Sequence, residues 1–136
     1  LNGLIGSGVP QDWATHMIGH EMTALWGVDH ARSLAIVQPS LLRHQIEVKR
    51  AKLEQMGINV FGLQHSADLA EKTIDAIEQF YASMNVDTQF SGYESTKAQA
   101  VDAVVTQLSE HGMTKLGEHQ QIVLEESRQI LEQAIA

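Results

Sequence analysis

Between His30 and Ile46 the chain offers almost no polar helical face. Leu34, Ile36, Val37, Leu41 and Leu42 fall at helical spacing and cover most of the circumference. A helix that is apolar nearly all round has to be surrounded by other elements. The segments around it are helical as well. Gln11 to Trp26 carries Trp13, Met17, His20 and Ala24 at a 3.6-residue period. Pro10 suits the first turn of that helix and Gly27 its end. Pro39 is expected to kink the central helix or to end its first half.

The rest of the chain follows the same pattern. Glu47 to Met56 reads as a solvated helix that closes near Gly57, with Phe61 and Leu63 leading into a loop. Ser66 is a candidate N-cap with Asp68 in the first turn. The helix behind it puts Leu69, Thr73, Ile77, Phe80 and Met84 on one face. Asn85 to Tyr93 is the one candidate for an extended connection. A helix from about Ser95 to His111 buries Val101, Val104, Val105 and Leu108 and stops at Gly112. Thr114 to Gly117 makes a short turn. Ile122 to Ala136 forms the last amphipathic helix, through Val123, Ser127, Ile130, Leu131 and Ala134. The N-terminal LNGLIGSGV is glycine-rich and reads as a loop; its GSG lacks the strand and GK[ST] of a phosphate-binding loop. The expected fold is all-α, an irregular bundle of about six or seven helices in one domain, residues 1–136.

Composition narrows the function classes. The 136 residues suffice for one domain with a real core. The 17 acidic against 9 basic residues argue against a nucleic-acid surface. No apolar run reaches the length of a membrane span. The chain has no cysteine, which excludes disulfides, thiolate metal sites and thiol nucleophiles and fits a cytoplasmic protein.

The chemistry-bearing residues are three histidines in the first quarter. His16 and His20 are four apart and share a helix face. His30 follows a Gly27-Val28-Asp29 break, so a second element can fold back toward the first. Neutral imidazole suits both zinc and ferrous iron. A zinc-protease helix is excluded, because H-E-x-x-H needs Glu directly after the first His and Met17 stands there. By spacing alone, the pair could equally be polar residues on a half-buried helix. Asp29 could cap the next helix or orient a ligand imidazole from behind; the cap is favoured. His44, His65, His111 and His119 sit in polar contexts and receive no role.

The pattern H-x3-H-x9-H, set in DWATHMIGHEMTA and GVDHARSLAIVQP, resembles the iron-containing (group III) alcohol dehydrogenases. The likeness to their butanol-dehydrogenase and NADPH-dependent aldehyde reductase branch continues through EVKRAKLEQ, LSEHGMTKLGE and ESRQILEQA. It spans essentially the whole chain and matches only the C-terminal third or so of a family member. In that family one Asp and three His bind a divalent metal, and the resemblance places His16 and His30 among these ligands. The Asp and remaining His belong to an upstream D-x-x-x-H segment. Asp12 and His16 have that spacing, but His16 is already used. The resemblance implies that His20 is catalytic, in substrate positioning or proton relay, with a purely structural His behind the ligands as the alternative, and that Trp13 and Trp26 line a substrate pocket; aromatic core packing is an equal alternative for the two Trp. It also implies Fe2+ or Zn2+, NADP(H) or NAD(H) in the full-length enzyme, and a small aldehyde or alcohol as substrate. The nucleotide-binding α/β domain is expected upstream, outside these residues, and the chain alone is expected to be inactive. The alternative is a non-catalytic helical module that self-associates or binds a partner. A third reading, a complete metal site, needs ligands from His20 or from a partner chain.

Overall fold

The computed structural model describes residues 2–92 and 96–135. Among the described residues there are seven helices: α1 (Asn2–Ile5), α2 (Ala14–Trp26), α3 (His30–His44), α4 (Ile46–Phe61), α5 (Leu69–Ser83), α6 (Lys97–Glu110) and α7 (Leu124–Ala134). One two-residue antiparallel pair, β1 (Lys115–Leu116) and β2 (Ile122–Val123), sits between α6 and α7, with Lys115 opposite Val123 and Leu116 opposite Ile122. The expected all-α bundle of irregular topology is the fold observed.

The apolar girdle of α3 explains the arrangement. It buries Ala35, Ile36, Val37 and Leu41 and packs against α2, α5 and α7, with α4 touching its C-terminal end. The main core joins it to Ile18 and Met22 of α2, Val104 and Leu108 of α6, and Ile130 and Leu131 of α7. Each such side chain contributes on the order of 1.5–3 kcal/mol by leaving water. A second, much smaller core of Leu53, Ala70 and Ile74 holds α4 to α5, with Leu42 and Ile46 against it.

Several local expectations are corrected. The helix α3 continues past Pro39 to His44, so Pro39 does not end its first half. Gly57 does not close α4. The helix runs on to Phe61 and ends at Gly62, whose φ is +67°, with Leu63 N–H donating to the Gly57 carbonyl. Gly57 serves packing instead: a Cβ there would lie 2.3 Å from Thr73 Oγ1. Ser66 precedes a turn, and the N-cap position of α5 is Asp68. Phe80 and Met84, placed on the buried face by their spacing, are exposed; Ala70 and Ile74 take the core positions. Ile122 and Val123 form β2 before α7 begins, and Lys115–Leu116 pair with them inside what reads as a turn. The glycine-rich N-terminus contains the single-turn α1. Ser95 and Tyr93 lie outside the described residues; α6 begins with a Thr96–Gln99 capping box.

Candidate metal centre

The site lies where α2 meets α3. Asp12 Oδ1 accepts a hydrogen bond from Ala14 N–H at 2.9 Å and so caps the start of α2. Gly27, at φ +65°, ends the helix in the left-handed region. Thr23 Oγ1 lies 2.9 Å from the Val28 carbonyl and 3.2 Å from the Gly19 carbonyl, which ties the helix end to the turn behind it. The chain then reverses and α3 starts at His30. Asp29 occupies the N-cap position of α3, but its carboxylate makes no cap hydrogen bond, contrary to the favoured reading.

Close approach of the two helices depends on Gly19. A Cβ at that position would come within 2.9 Å of Ser33 Oγ. Ser33 is fully buried and its hydroxyl donates to the His30 carbonyl at 2.8 Å. A small residue on α2 therefore lets the first turn of α3 settle against it, and this carries His30 to His16 and His20.

The three imidazoles form a triangle. Ring centres are 5.3 Å apart for His16 and His30, 5.4 Å for His20 and His30, and 6.0 Å for His16 and His20. Two imidazoles bound about 2 Å from one tetrahedral metal place their ring centres roughly 5 Å apart. The pairs that include His30 have that spacing. Among the described residues, however, no group of three or more His, Asp or Glu is placed to hold a metal ion by itself. His20 does not complete a closed set on this chain.

His16 is half-buried, while His20 and His30 are exposed. Burial pushes the His16 imidazole below its ordinary range, and the neighbouring His30 and His20 push it the same way. That favours the neutral ring, the form that binds metals. Trp13 stands edge-on to His16 with ring centres 5.3 Å apart, and its indole N–H donates to Gln11 Oε1 at 2.8 Å. Trp26 is drawn to the other side, where it packs edge-on against Phe90 at 5.0 Å. Of the two tryptophans, only Trp13 adjoins the histidines.

Asp12 is accounted for by other partners. Its second oxygen accepts from Lys49 Nζ at 2.7 Å, so the D-x-x-x-H spacing of Asp12 and His16 reflects a capped and ion-paired carboxylate. Lys49 lies in the charged run that reads as a solvated face, yet it is largely covered and joins Asp12 and His16 in walling a cleft of about 250 Å3. No spacing in the sequence signals this, because Lys49 and Asp12 come from separate helical segments. Among the other histidines, His111 pairs with the buried Glu21, Nδ1 to Oε1 at 2.8 Å. His44 Nε2 lies 3.2 Å from Gln129 Oε1.

Sequence comparison gives the class of the helical bundle that brings His16 and His30 together. Residues 4–135 match the C-terminal domain of the Fe-containing alcohol dehydrogenase family, and the chain belongs to that family. The NADPH-dependent aldehyde reductase YqhD of Escherichia coli is 46% identical over 115 residues, which is 83% of this chain and 30% of that protein. A probable NADH-dependent butanol dehydrogenase of Bacillus subtilis is 28% identical over 116 residues, covering 82% of this chain and 30% of the relative. Among solved structures, the substrate- and cofactor-free form of YqhD superposes with a TM-score of 0.89 at 45% identity over 96% of this chain and 35% of that one. The NADH-dependent butanol dehydrogenase A of Thermotoga maritima gives 0.83 at 25% identity, covering all of this chain and 36% of its own. The chain thus spans about a third of the length of the relatives it matches. No helix among the described residues is long and apolar enough to cross a membrane.

Proposed function

We propose that these residues are the metal-holding helical part of an alcohol dehydrogenase or aldehyde reductase that interconverts small aldehydes and alcohols with NADP(H) or NAD(H). The observation that carries the reading is the convergence of His16 and His30 at metal-sharing distance, in a chain of the Fe-containing alcohol dehydrogenase family. His16 and His30 would hold the divalent metal, Fe2+ or Zn2+, with further ligands and the dinucleotide site supplied by protein outside these 136 residues. A bound metal would supply Lewis-acid polarisation of the carbonyl oxygen.

The chain's own residues would set the geometry of its share of the site. Gly19 and Ser33 fix the crossing of α2 and α3, and thereby the distance between the two ligand imidazoles. Burial, together with the neighbouring His30 and His20, favours the neutral form of His16 that binds a metal. His20 is the catalytic residue. Its exposed ring lies beside both proposed ligand rings, which supports a role in which it would hand a proton to the substrate oxygen as the alcohol forms.

Substitution in the complete protein separates these roles. His16→Ala and His30→Ala are expected to lose both bound metal and aldehyde reduction. His20→Ala should retain the metal and lose about 10²–10⁴-fold in kcat. Metal retained by either of the first two variants would overturn the ligand assignment. The 136-residue chain alone is expected to leave NADPH absorbance unchanged in the presence of an aldehyde.

A second reading has its own observation. Phe80 and Met84 are 53% and 62% exposed at the C-terminal end of α5, apolar side chains open to self-association or a partner. A metal-independent dimer in sedimentation, abolished by Phe80→Ser with Met84→Ser, would favour it.

A further inference from the structure

We propose that Lys49 is a positioning residue for the imidazole cluster, acting through Asp12; this rests on the reading of His16 as a metal ligand. One carboxylate joins two elements. Asp12 Oδ1 accepts from the first N–H of α2, and Asp12 Oδ2 accepts from Lys49 Nζ on α4 at 2.7 Å. Glu118 Oε1 lies 3.6 Å from the same ammonium. The side chains of Lys49, Asp12 and Glu118 are only 16%, 22% and 32% exposed, so water screens this network less than an ordinary surface pair.

The two ends of α2 are held differently. Its middle is fixed by the close packing of Gly19 on Ser33, and its C-terminal end by the Thr23 hydroxyl on the Gly27 turn. Its N-terminal end, which carries His16, is tied to the rest of the molecule through Ala14 and Ile18 in the core, with Met17 packed against it, and through Asp12. His16 follows Asp12 by one helical turn and Trp13 leans on its ring. Lys49, Asp12 and His16 wall one cleft. Releasing Lys49 frees the Asp12 carboxylate and lets the first turn of α2 shift, which moves His16 relative to His30. His30 stays in place, because it belongs to the other helix. Lys49 touches neither imidazole in this scheme, and its effect passes through the cap.

The test reads position and metal separately on the 136-residue chain. Wild-type protein should give nuclear Overhauser cross-peaks between the His16 and His30 rings. Lys49→Met should weaken them and loosen Zn2+ binding about tenfold. Lys49→Arg should restore both. Arg128→Met, which removes the 2.6 Å pair between Arg128 and Asp102, serves as a control for loss of an ion pair and should change neither. If Lys49→Met does not fold, Asp12→Asn replaces it, since the amide oxygen still caps Ala14 while the charge facing Lys49 is gone. Unchanged cross-peaks in folded Lys49→Met or Asp12→Asn overturn the proposal. Cross-peaks that vanish in the variant while wild type binds no Zn2+ support the positioning role and refute the metal reading.

Discussion

The α2–α3 corner and the α4–α5 lobe are both helix pairs that meet across a glycine, and they are built to different strengths. At the corner, Gly19 admits Ser33, and behind it Ile18, Met22 and Val28 sink into a core shared with α6 and α7. In the lobe, Gly57 admits Thr73, the buried cluster is the small group Leu53, Ala70 and Ile74 with Leu69 and Ile77 buried nearby on α5, and exposed ion pairs add to it. Arg43 spans to Asp75 and Glu78, and Arg50 to Glu47 and Glu71. Pairs this exposed are worth little individually. The histidines thus stand on the well-anchored pair, while the lobe beside them is held by a thin core and leaves Phe80 and Met84 uncovered. Precise ligand geometry needs the first kind of support.

The largest expected effect comes from the corner. Ile18→Ala removes a fully buried side chain from the core face of the helix that carries His16 and His20. It should cost about 2–5 kcal/mol. Denaturant unfolding should remain one transition, and hydrogen exchange should accelerate across α2, α3, α6 and α7 together. Gly57→Val comes next. Its Cβ would meet Thr73 Oγ1 at 2.3 Å and Leu69 Cδ1 at 3.1 Å, both from α5. A cost of about 1–3 kcal/mol is expected, with exchange faster in α4 and α5 and unchanged around the histidines. Loss of protection at the corner in this variant would show that the two regions do not differ as described.

A smaller effect separates them by pH. His111, at the end of α6, faces the buried Glu21 carboxylate of α2, with Glu110 adding to the same field. The hydrogen bond and charge of Glu21 raise the imidazole above its ordinary value of 6.5. A raised folded-state value means the protonated ring stabilises the fold. That contribution is complete below about pH 6.5 and is lost as pH rises through the higher folded value. Tm should therefore fall between pH 6 and 8 more steeply in the wild type than in His111→Gln. Equal slopes would remove His111 from the corner's support.

The fold was legible where one signal acts alone. The apolar circumference of residues 34–42 marks a central helix, and Gly27 before His30 marks the reversal that brings the rings together. It was less legible where one residue type has two uses. Gly57 reads as a helix end because glycine so often is one, but here the missing Cβ makes room for α5. Phe80 and Met84 have core spacing, yet α5 turns Ala70 and Ile74 inward beside Leu69, Thr73 and Ile77, and its C-terminal end is left uncovered. Two-residue strands carry no period to detect. At the site, the histidines stand out from their spacing, but Lys49 and Asp12 meet only through the tertiary fold.

The most direct measurement is a Zn2+ titration of the metal-free chain, followed by the 15N shifts of its histidine rings, with His16→Ala, His30→Ala and His65→Ala compared. One equivalent should bind, the shifts should fall on His16 and His30, and either of the first two substitutions should weaken binding by at least about tenfold while His65→Ala leaves it unchanged. Binding that ignores both His16 and His30 would contradict the assignment of this corner as part of a metal centre.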